Sequence, residues 1–415
     1  MTQISVIGLG VNENAILSDD ALASLNNAQL VIGSERQLLT LKKYLADQKT
    51  AVLPKLKQLK TLIETSDDVV ILGSGDPLYY GIGRWISQQF EDAKIQFFPA
   101  VSSITAACHC LGFAQQDINV VSLHGRPVNK LKTVLKAEQI LLLLTDKNSQ
   151  PQHIASLCQE TGFSEAEIIV CESLGYANQK ISRFSVSQLL DSKKEFDALH
   201  VSFVICNQNR GYLPEFPGIK DHNIETGELG KKGMISKREV RLAVLSLLQL
   251  KKDDLIWDIG AGCGGVAVEL AYWQPLATVY AIEHHQGRFD CLLKNQQKFG
   301  VVSNLLPTFG RAPEILTGLP SANKIFIGGS DGELPILLRS LWEALPEGGQ
   351  IVASAVMENT KSQLLDFYKQ RTNKNDAQIE TLQVAINNSA TLAGQLIYRP
   401  ALPVNLFSFI KRKAQ

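Results

Sequence analysis

Residues 257–270 read WDIGAGCGGVAVEL: a β-type run, a turn holding Gly260, Ala261, Gly262, Cys263 and Gly264, and the apolar opening of a helix. Glycines at such a turn let the backbone approach a ligand, and the free N–H groups of the helix start face it. The spacing fits G-x-G-x-x-G through Gly260, Gly262 and Gly265, and G-x-G-x-G through Gly264. Alone the first pattern is weak, because ordinary strand–helix turns match it. Here the context is complete, since Glu283 ends the next β-type run, where a carboxylate that holds a ribose hydroxyl is expected. Asp258 then chooses between ligands. A carboxylate just before Gly260 would repel a pyrophosphate in a partly dehydrated site. S-adenosylmethionine carries no phosphate, and its sulfonium and amino groups are cationic, so the same acid favours it.

Other turns carry the same kind of chemistry. GRAPE at 310–314 and GGSDG at 328–332 follow β-type runs, at the sheet edge where open α/β folds bind ligands. In the first half, Gly8 and Gly10 follow one strand candidate, Gly75 and Asp76 a second, and Ser102 and Ser103 a third. Pro77 is expected to fix the first turn of a helix, with Asp76 at an N-cap-like position. Singly each is an ordinary turn; together they place three Gly/Ser turns at the same ends of three strands, which makes a cleft. Methyl transfer from a sulfonium is an in-line displacement with a neutral leaving group. It needs alignment and exclusion of water rather than a nucleophile. The chain has no metal-ligand cluster, and no metal is expected.

Those turns need strands and helices to position them. Short β-type runs alternate with helical patterns along all 415 residues, the signature of α/β folds with mostly parallel sheets. The first half offers ISVIGLG, AQLVIG, DVVILGSG, KIQFFP, INVVSL, QILLLLT, EIIVCE and HVSFVICN as strands, with a helix behind Ser18 as N-cap. Residues 208–232, rich in Gly, Pro and charge, read as a linker between domains at 1–207 and 233–415. SKREVRLAVLSLLQL then shows an apolar stripe at helical spacing behind Ser236 as N-cap. The tail changes period: TLQVAIN, AGQLIYRP and VNLFSFIK are strands with short connections, as antiparallel strands closing a doubly wound sheet would be.

Composition sets outer bounds. Lys plus Arg equals Asp plus Glu at 41 each, so no field of one sign steers the chain to nucleic acid or an anionic membrane. Seven cysteines without a C-x-x-C pair read as buried free thiols of a reducing cytoplasm. No secretory signal is expected, and the longest apolar runs are too short to span a bilayer. No nucleic-acid or membrane partner is expected, and a homo-oligomer is.

The segments GSGDPLYYGIG, PAVSSITAACHCLG, SLHGRP and LLTDKNSQPQHIASL resemble the tetrapyrrole methylase family, enzymes that use S-adenosylmethionine to methylate porphyrinoid rings. MISKREVRLAVLSLLQL, WDIGAGCGGVAVEL, GRAPE and IGGSDGEL resemble the decarboxylating precorrin methyltransferases of the cobalamin pathway. Fused in this order, the halves resemble the decarboxylating precorrin C5,15-methyltransferase family over essentially the whole chain. The resemblance implies an N-terminal tetrapyrrole methylase fold of two α/β subdomains with a cleft, and a C-terminal Rossmann-like methyltransferase with antiparallel final strands. It implies one S-adenosyl-L-methionine per domain, a precorrin substrate methylated at two meso carbons, C5 and C15, and decarboxylation of an acetate arm to give precorrin-8. Cofactor binding is carried onto Gly8, Gly10, Gly75, Asp76, Ser102 and Ser103 in one half. In the other it falls on Ser236, Asp258, Gly260, Ala261, Gly262, Cys263, Gly264, Glu283 and Ala312. Loss of CO₂ leaves electrons that a protonated macrocycle can accept, helped by a cationic or proton-donating residue. Arg241 is the first candidate for that catalytic role, before Arg311, Arg399, His284 and His285; Lys237, Arg238, Arg126 and Arg84 are candidates for docking ring carboxylates. Two rival readings make the first half a docking scaffold for a single catalytic domain, or the whole an RNA methyltransferase.

Overall fold

The structure is a computed structural model that describes residues 2–227 and 235–413. It divides into two compact units. The first comprises Met1–Val128 and Ala137–Asn209; the second comprises Asn129–Lys136 and Arg210–Gln415.

The first unit holds two sheets. Strands β1 (Gln3–Gly8), β2 (Leu30–Gly33), β3 (Lys49–Val52), β4 (Asp68–Gly73) and β5 (Lys94–Phe98) pair in the order β3-β2-β4-β1-β5, every pair parallel. The central strands are near-continuous apolar runs, as a sheet covered on both faces requires. Helix Asp19–Asn27 starts where expected, with Ser18 Oγ accepting from the Ala21 N–H at 3.3 Å. The second sheet takes β6 (Ile118–Ser122), β7 (Ile140–Leu144), β8 (Glu167–Glu172), β9 (Lys180–Ser185) and β10 (His200–Ile205) in the order β6-β7-β10-β8-β9. Here the expectation of parallel pairing fails: only β6 and β7 run parallel, and the other three pairs are antiparallel. Apolar runs reveal burial, and they do not reveal direction.

The second unit is one seven-stranded sheet. It uses β11 (Leu255–Ile259), β12 (Thr278–Glu283), β13 (Leu305–Phe309), β14 (Lys324–Ile327), β15 (Gln350–Ala355), β16 (Ala377–Val384) and β19 (Val404–Lys411). The order is β13-β12-β11-β14-β15-β19-β16; the first five are parallel, and β19 is antiparallel to both neighbours. Between them β17 (Asn387–Leu392) and β18 (Gln395–Pro400) form a separate antiparallel hairpin. The chain proceeds outward from β11 in one direction and from β14 in the other, so a topological switch point lies between these two strands. Apolar clusters cover both faces of the sheet, one around Val244, Val268 and Phe299, the other around Ile325, Leu338 and Phe409.

Residues 210–227, expected as linker, pack onto this unit. Ile219 and Ile224 are buried in its core with Val240 and Val266; of the rest of the expected linker, 208–209 fall in the first unit and 228–232 lie outside the described residues. Two other expectations shift. Helix Arg238–Leu248 has Lys237 rather than Ser236 at its N-cap, without a side-chain cap. The helix after Pro77 starts only at Gly83: the Gly83 N–H donates to the Pro77 carbonyl, closing residues 77–82 into a loop.

Candidate active site

β11 ends at Ile259 and the chain turns at Gly260, whose φ is +71°. A side chain there would place its Cβ 2.5 Å from the carbonyl oxygen of Gly329, so glycine is what allows the β11 loop to lie against the β14 loop at the switch point. Gly264 begins helix Gly265–Trp273 as its N-cap. Glu283, at the end of β12, holds the turn from the other side. One carboxylate oxygen accepts from the Gly262 N–H at 2.9 Å; the second accepts from the His284 and His285 N–H groups at 2.9 and 2.7 Å.

Asp258 is different in kind. It shares the strand face of Ile256, which points into the core beneath the helices. It is 1% exposed, and neither carboxylate oxygen makes a hydrogen bond. Burial pushes its pKa up to about 7, and the charge of Glu283 adds to the shift; the nearby Ala267 N–H offsets part of it without making a hydrogen bond. A buried acid without a partner costs stability, so its place beside a ligand cavity demands a reason.

That cavity has a volume of about 830 Å³. It gathers Ser236, Asp258, Gly260, Ala261, Gly262, Glu283 and Ala312 from the sequence-derived set into one site. Two members of the set do not line it. Cys263 turns inward and is 1% exposed, its thiol pushed up to about 12 by burial and by Cys291, and Gly264 serves the helix start. Of the cationic candidates, Lys237, His284, Arg311 and also Arg288 line the cavity, whereas His285 and Arg399 do not.

Arg241 is not placed to touch a substrate. Its side chain is fully buried. The guanidinium donates to Glu269 at 3.2 Å, Asp221 at 2.8 Å, the Ser236 carbonyl at 2.7 Å and the Ile219 carbonyl. Glu269 in turn accepts from the Gly218 and Ile219 N–H groups and the Trp273 indole. The network ties residues 218–221 and the Ser236 wall of the cavity to two helices, which is a positioning role. Glu269 was not anticipated, although an acid inside the apolar run GVAVELAYW was its signal.

In the first unit the turns meet backbone to backbone. A Cβ on Gly8 would fall 2.0 Å from the Gly75 carbonyl oxygen, and one on Gly75 2.7 Å from Ser102. Ser102 caps helix Ser103–Leu111 through the Thr105 N–H at 3.1 Å, Asp76 accepts from the Leu78 N–H at 2.8 Å, and Gly10 sits at φ +80°. The loop after β8 closes on these turns. The Ala177 N–H donates to Glu13 at 3.2 Å and Arg36 donates to the Tyr176 hydroxyl at 3.0 Å, a contact no sequence motif announced. Arg84 and Arg126 are exposed. Among the described residues no helix is long and apolar enough to cross a membrane, and no group of three or more His, Cys, Asp or Glu could hold a metal ion.

A glycine turn at the switch point of an open parallel sheet, with an acid on the strand before it and another ending the next, defines the second unit as an S-adenosylmethionine-dependent methyltransferase fold. A family model described as precorrin methyltransferase domain matches residues 229–411, and one described as tetrapyrrole (corrin/porphyrin) methylases matches residues 3–190. A precorrin-6Y C(5,15)-methyltransferase [decarboxylating] of Sinorhizobium sp is 30% identical over 411 residues, covering 98% of this chain and 96% of the relative. One of Mycobacterium tuberculosis (strain ATCC 25618 / H37Rv) is 28% identical, covering 99% and 100%. A shorter relative from Pyrobaculum aerophilum, named "Probable cobalt-precorrin-6B C(15)-methyltransferase (decarboxylating)", is 34% identical over 46% of this chain and 95% of its own length. The chain belongs to the precorrin-6Y C(5,15)-methyltransferase (decarboxylating) family. It is a methyltransferase, and S-adenosyl-L-methionine is its methyl donor.

Proposed function

We propose that the chain methylates a precorrin twice, at C5 and C15, and removes one acetate carboxylate, with the second unit carrying the C15 methylation and the decarboxylation. The division is supported by the shorter relative, which bears the decarboxylating C(15) name at less than half the length of this chain, taken with the separate precorrin methyltransferase domain model that matches residues 229–411. The unpartnered Asp258 and the Gly260–Gly329 contact fit a cationic cofactor without phosphate, held by Asp258, Glu283 and the backbone of Gly260, Ala261 and Gly262. Once bound, the cofactor supplies an electrophilic methyl group. The protein's own part is to exclude water, hold the ring carbon in line and meet the ring's carboxylates with Lys237, Arg288 or Arg311. In the decarboxylation the bond from the acetate methylene to its carboxyl breaks, CO₂ leaves, and the electron pair enters the macrocycle. A proton then adds to the methylene carbon, leaving a methyl group.

The first unit methylates the other meso carbon through its Gly8, Gly75 and Ser102 turns. Product masses from the full chain test the division. Gly260→Val is expected to give a product with one added methyl and intact carboxylates, and Gly8→Val a product that has gained one methyl and lost CO₂. Loss of CO₂ release in Gly8→Val, with release retained in Gly260→Val, would reverse the assignment. The finer expectation of a homo-oligomer is supported by the β17–β18 hairpin, whose Leu392, Leu396 and Tyr398 are exposed; sedimentation of the full chain checks the oligomer.

A further inference from the structure

The cofactor cavity does not end at the cofactor residues. It continues past Ser354 to Val356, Ala401, Leu402 and Val404, which belong to the β15 end and to the turn leading into β19. Val356 is 46% exposed and Leu402 74% exposed, and Met357, next in the chain to Val356, is 68% exposed. Large apolar side chains lining a cavity and also facing solvent form a surface that water wets poorly and a flat apolar ligand would cover. Lys237 lines the same cavity, with a side chain 63% exposed and an ion pair to Asp221 at 3.4 Å.

We propose that Val356 and Leu402 form the shelf on which the face of the tetrapyrrole lies during the decarboxylating methylation, with Lys237 pairing one peripheral carboxylate of the ring. This assignment rests on the proposed function of the second unit. Two observations select a macrocycle as the occupant. The shelf is continuous with the cavity that holds Asp258 and the glycine turn, so what lies on it can reach the methyl donor's site. It also pairs apolar surface with a cation at the edge, which matches a ring that is apolar across its face and anionic around its rim. A protein segment would satisfy the apolar part alone.

The test uses the full chain and the precorrin substrate. Leu402→Glu places a carboxylate where the ring face would lie, and the exposure of Leu402 means that folding is not at stake. The expected result is a KM for the decarboxylating reaction raised about tenfold or more. S-adenosylhomocysteine affinity should stay within about twofold of wild type at both sites, and the first unit's methylation should be unchanged. Leu402→Met should restore the wild-type KM, and Lys237→Ala should raise KM a few-fold and weaken its salt dependence. An unchanged KM in Leu402→Glu overturns the shelf. So does an unchanged KM accompanied by a change in sedimentation, which would assign these residues to a contact between copies of the chain. A wild-type chain that binds S-adenosylhomocysteine and leaves the precorrin unmethylated overturns instead the reading on which the shelf rests.

Discussion

The two units bring glycine turns to the carboxyl ends of parallel strands and build opposite sites from them. In the first, Gly8, Gly75 and Ser102 press together with no buried acid among them. In the second, Gly260 meets Gly329 in the same manner, and behind the turn stands Asp258, a buried carboxylate with no hydrogen-bonding partner. On the proposed function, one unit would meet the methyl donor by backbone shape and the other would add charge, at a cost to its ligand-free stability. The difference teaches that a glycine turn specifies how closely a ligand can approach, while the neighbouring side chain specifies which ligand.

The comparison breaks most visibly at the glycines. Gly8→Val and Gly260→Val should each abolish one of two S-adenosylhomocysteine sites, a loss of at least about a hundredfold, or about 2.8 kcal/mol, at that site. Titration calorimetry reads it directly. A wild-type chain with a single site would reduce the first unit to a scaffold. Next in size is Arg241→Ala, which strands Glu269 in the core without its cation. Breaking such a buried pair costs about 3–5 kcal/mol, confined to the second unit. Thermal unfolding should show that unit's transition fall while the first unit's transition stays.

Asp258 separates shape from charge. Asp258→Asn should weaken S-adenosylmethionine at the second unit by about tenfold, or about 1.4 kcal/mol. S-adenosylhomocysteine, which lacks the sulfonium charge, should be affected less. Because burial raises this carboxyl to about 7 in the unliganded protein, binding of the cationic donor must release a proton from it below that pH. Affinity should therefore fall as pH drops through 7 at the second unit only. Stability runs the other way. Between the unfolded value of about 4 and the folded value of about 7, the folded state holds the extra proton, so ligand-free stability declines as pH rises. Asp258→Asn should thus raise the second unit's melting temperature at pH 8 and leave it nearly unchanged at pH 4. Equal effects at both pH values would mean that the acid is not buried in its charged form.

Much of this was legible in the residues. WDIGAG, with Glu283 beyond it, located the turn at the switch point of the second unit's sheet because strand, glycine turn and second acid are all local signals. Arg241 was misplaced for a physical reason. Its charge drew attention, yet Val240, Arg241, Val244 and Leu248 form the buried stripe of their helix, and the partner Glu269 lies on another helix. An acid and a base each set in an apolar stripe are a pair that only tertiary structure joins. The strands β3 and β17, short and polar, left no periodic trace, and the antiparallel pairing of β7, β10, β8 and β9 is not marked by the apolar composition of their strands.

The smallest expected effect sharpens the comparison at the helix starts. Ser102 caps the helix after the third turn of the first unit, whereas the equivalent position in the second unit is Gly264, which has no side chain to cap with. Ser102→Ala should cost the first unit about 1 kcal/mol, the usual loss of a hydroxyl cap. Because Ser102 also lies against Gly75, that loss should reach the cofactor site as a few-fold weaker S-adenosylhomocysteine affinity there, with the second site untouched. Gly264→Ser cannot supply the missing cap in exchange. Its φ of +85° is one that a serine adopts only with strain, and its Cβ would meet Leu292 at 2.4 Å, so the second unit should lose stability where the first would gain it. If Gly264→Ser proved neutral by thermal unfolding, the glycine at that helix start would be incidental, and charge at Asp258 alone would distinguish the two sites.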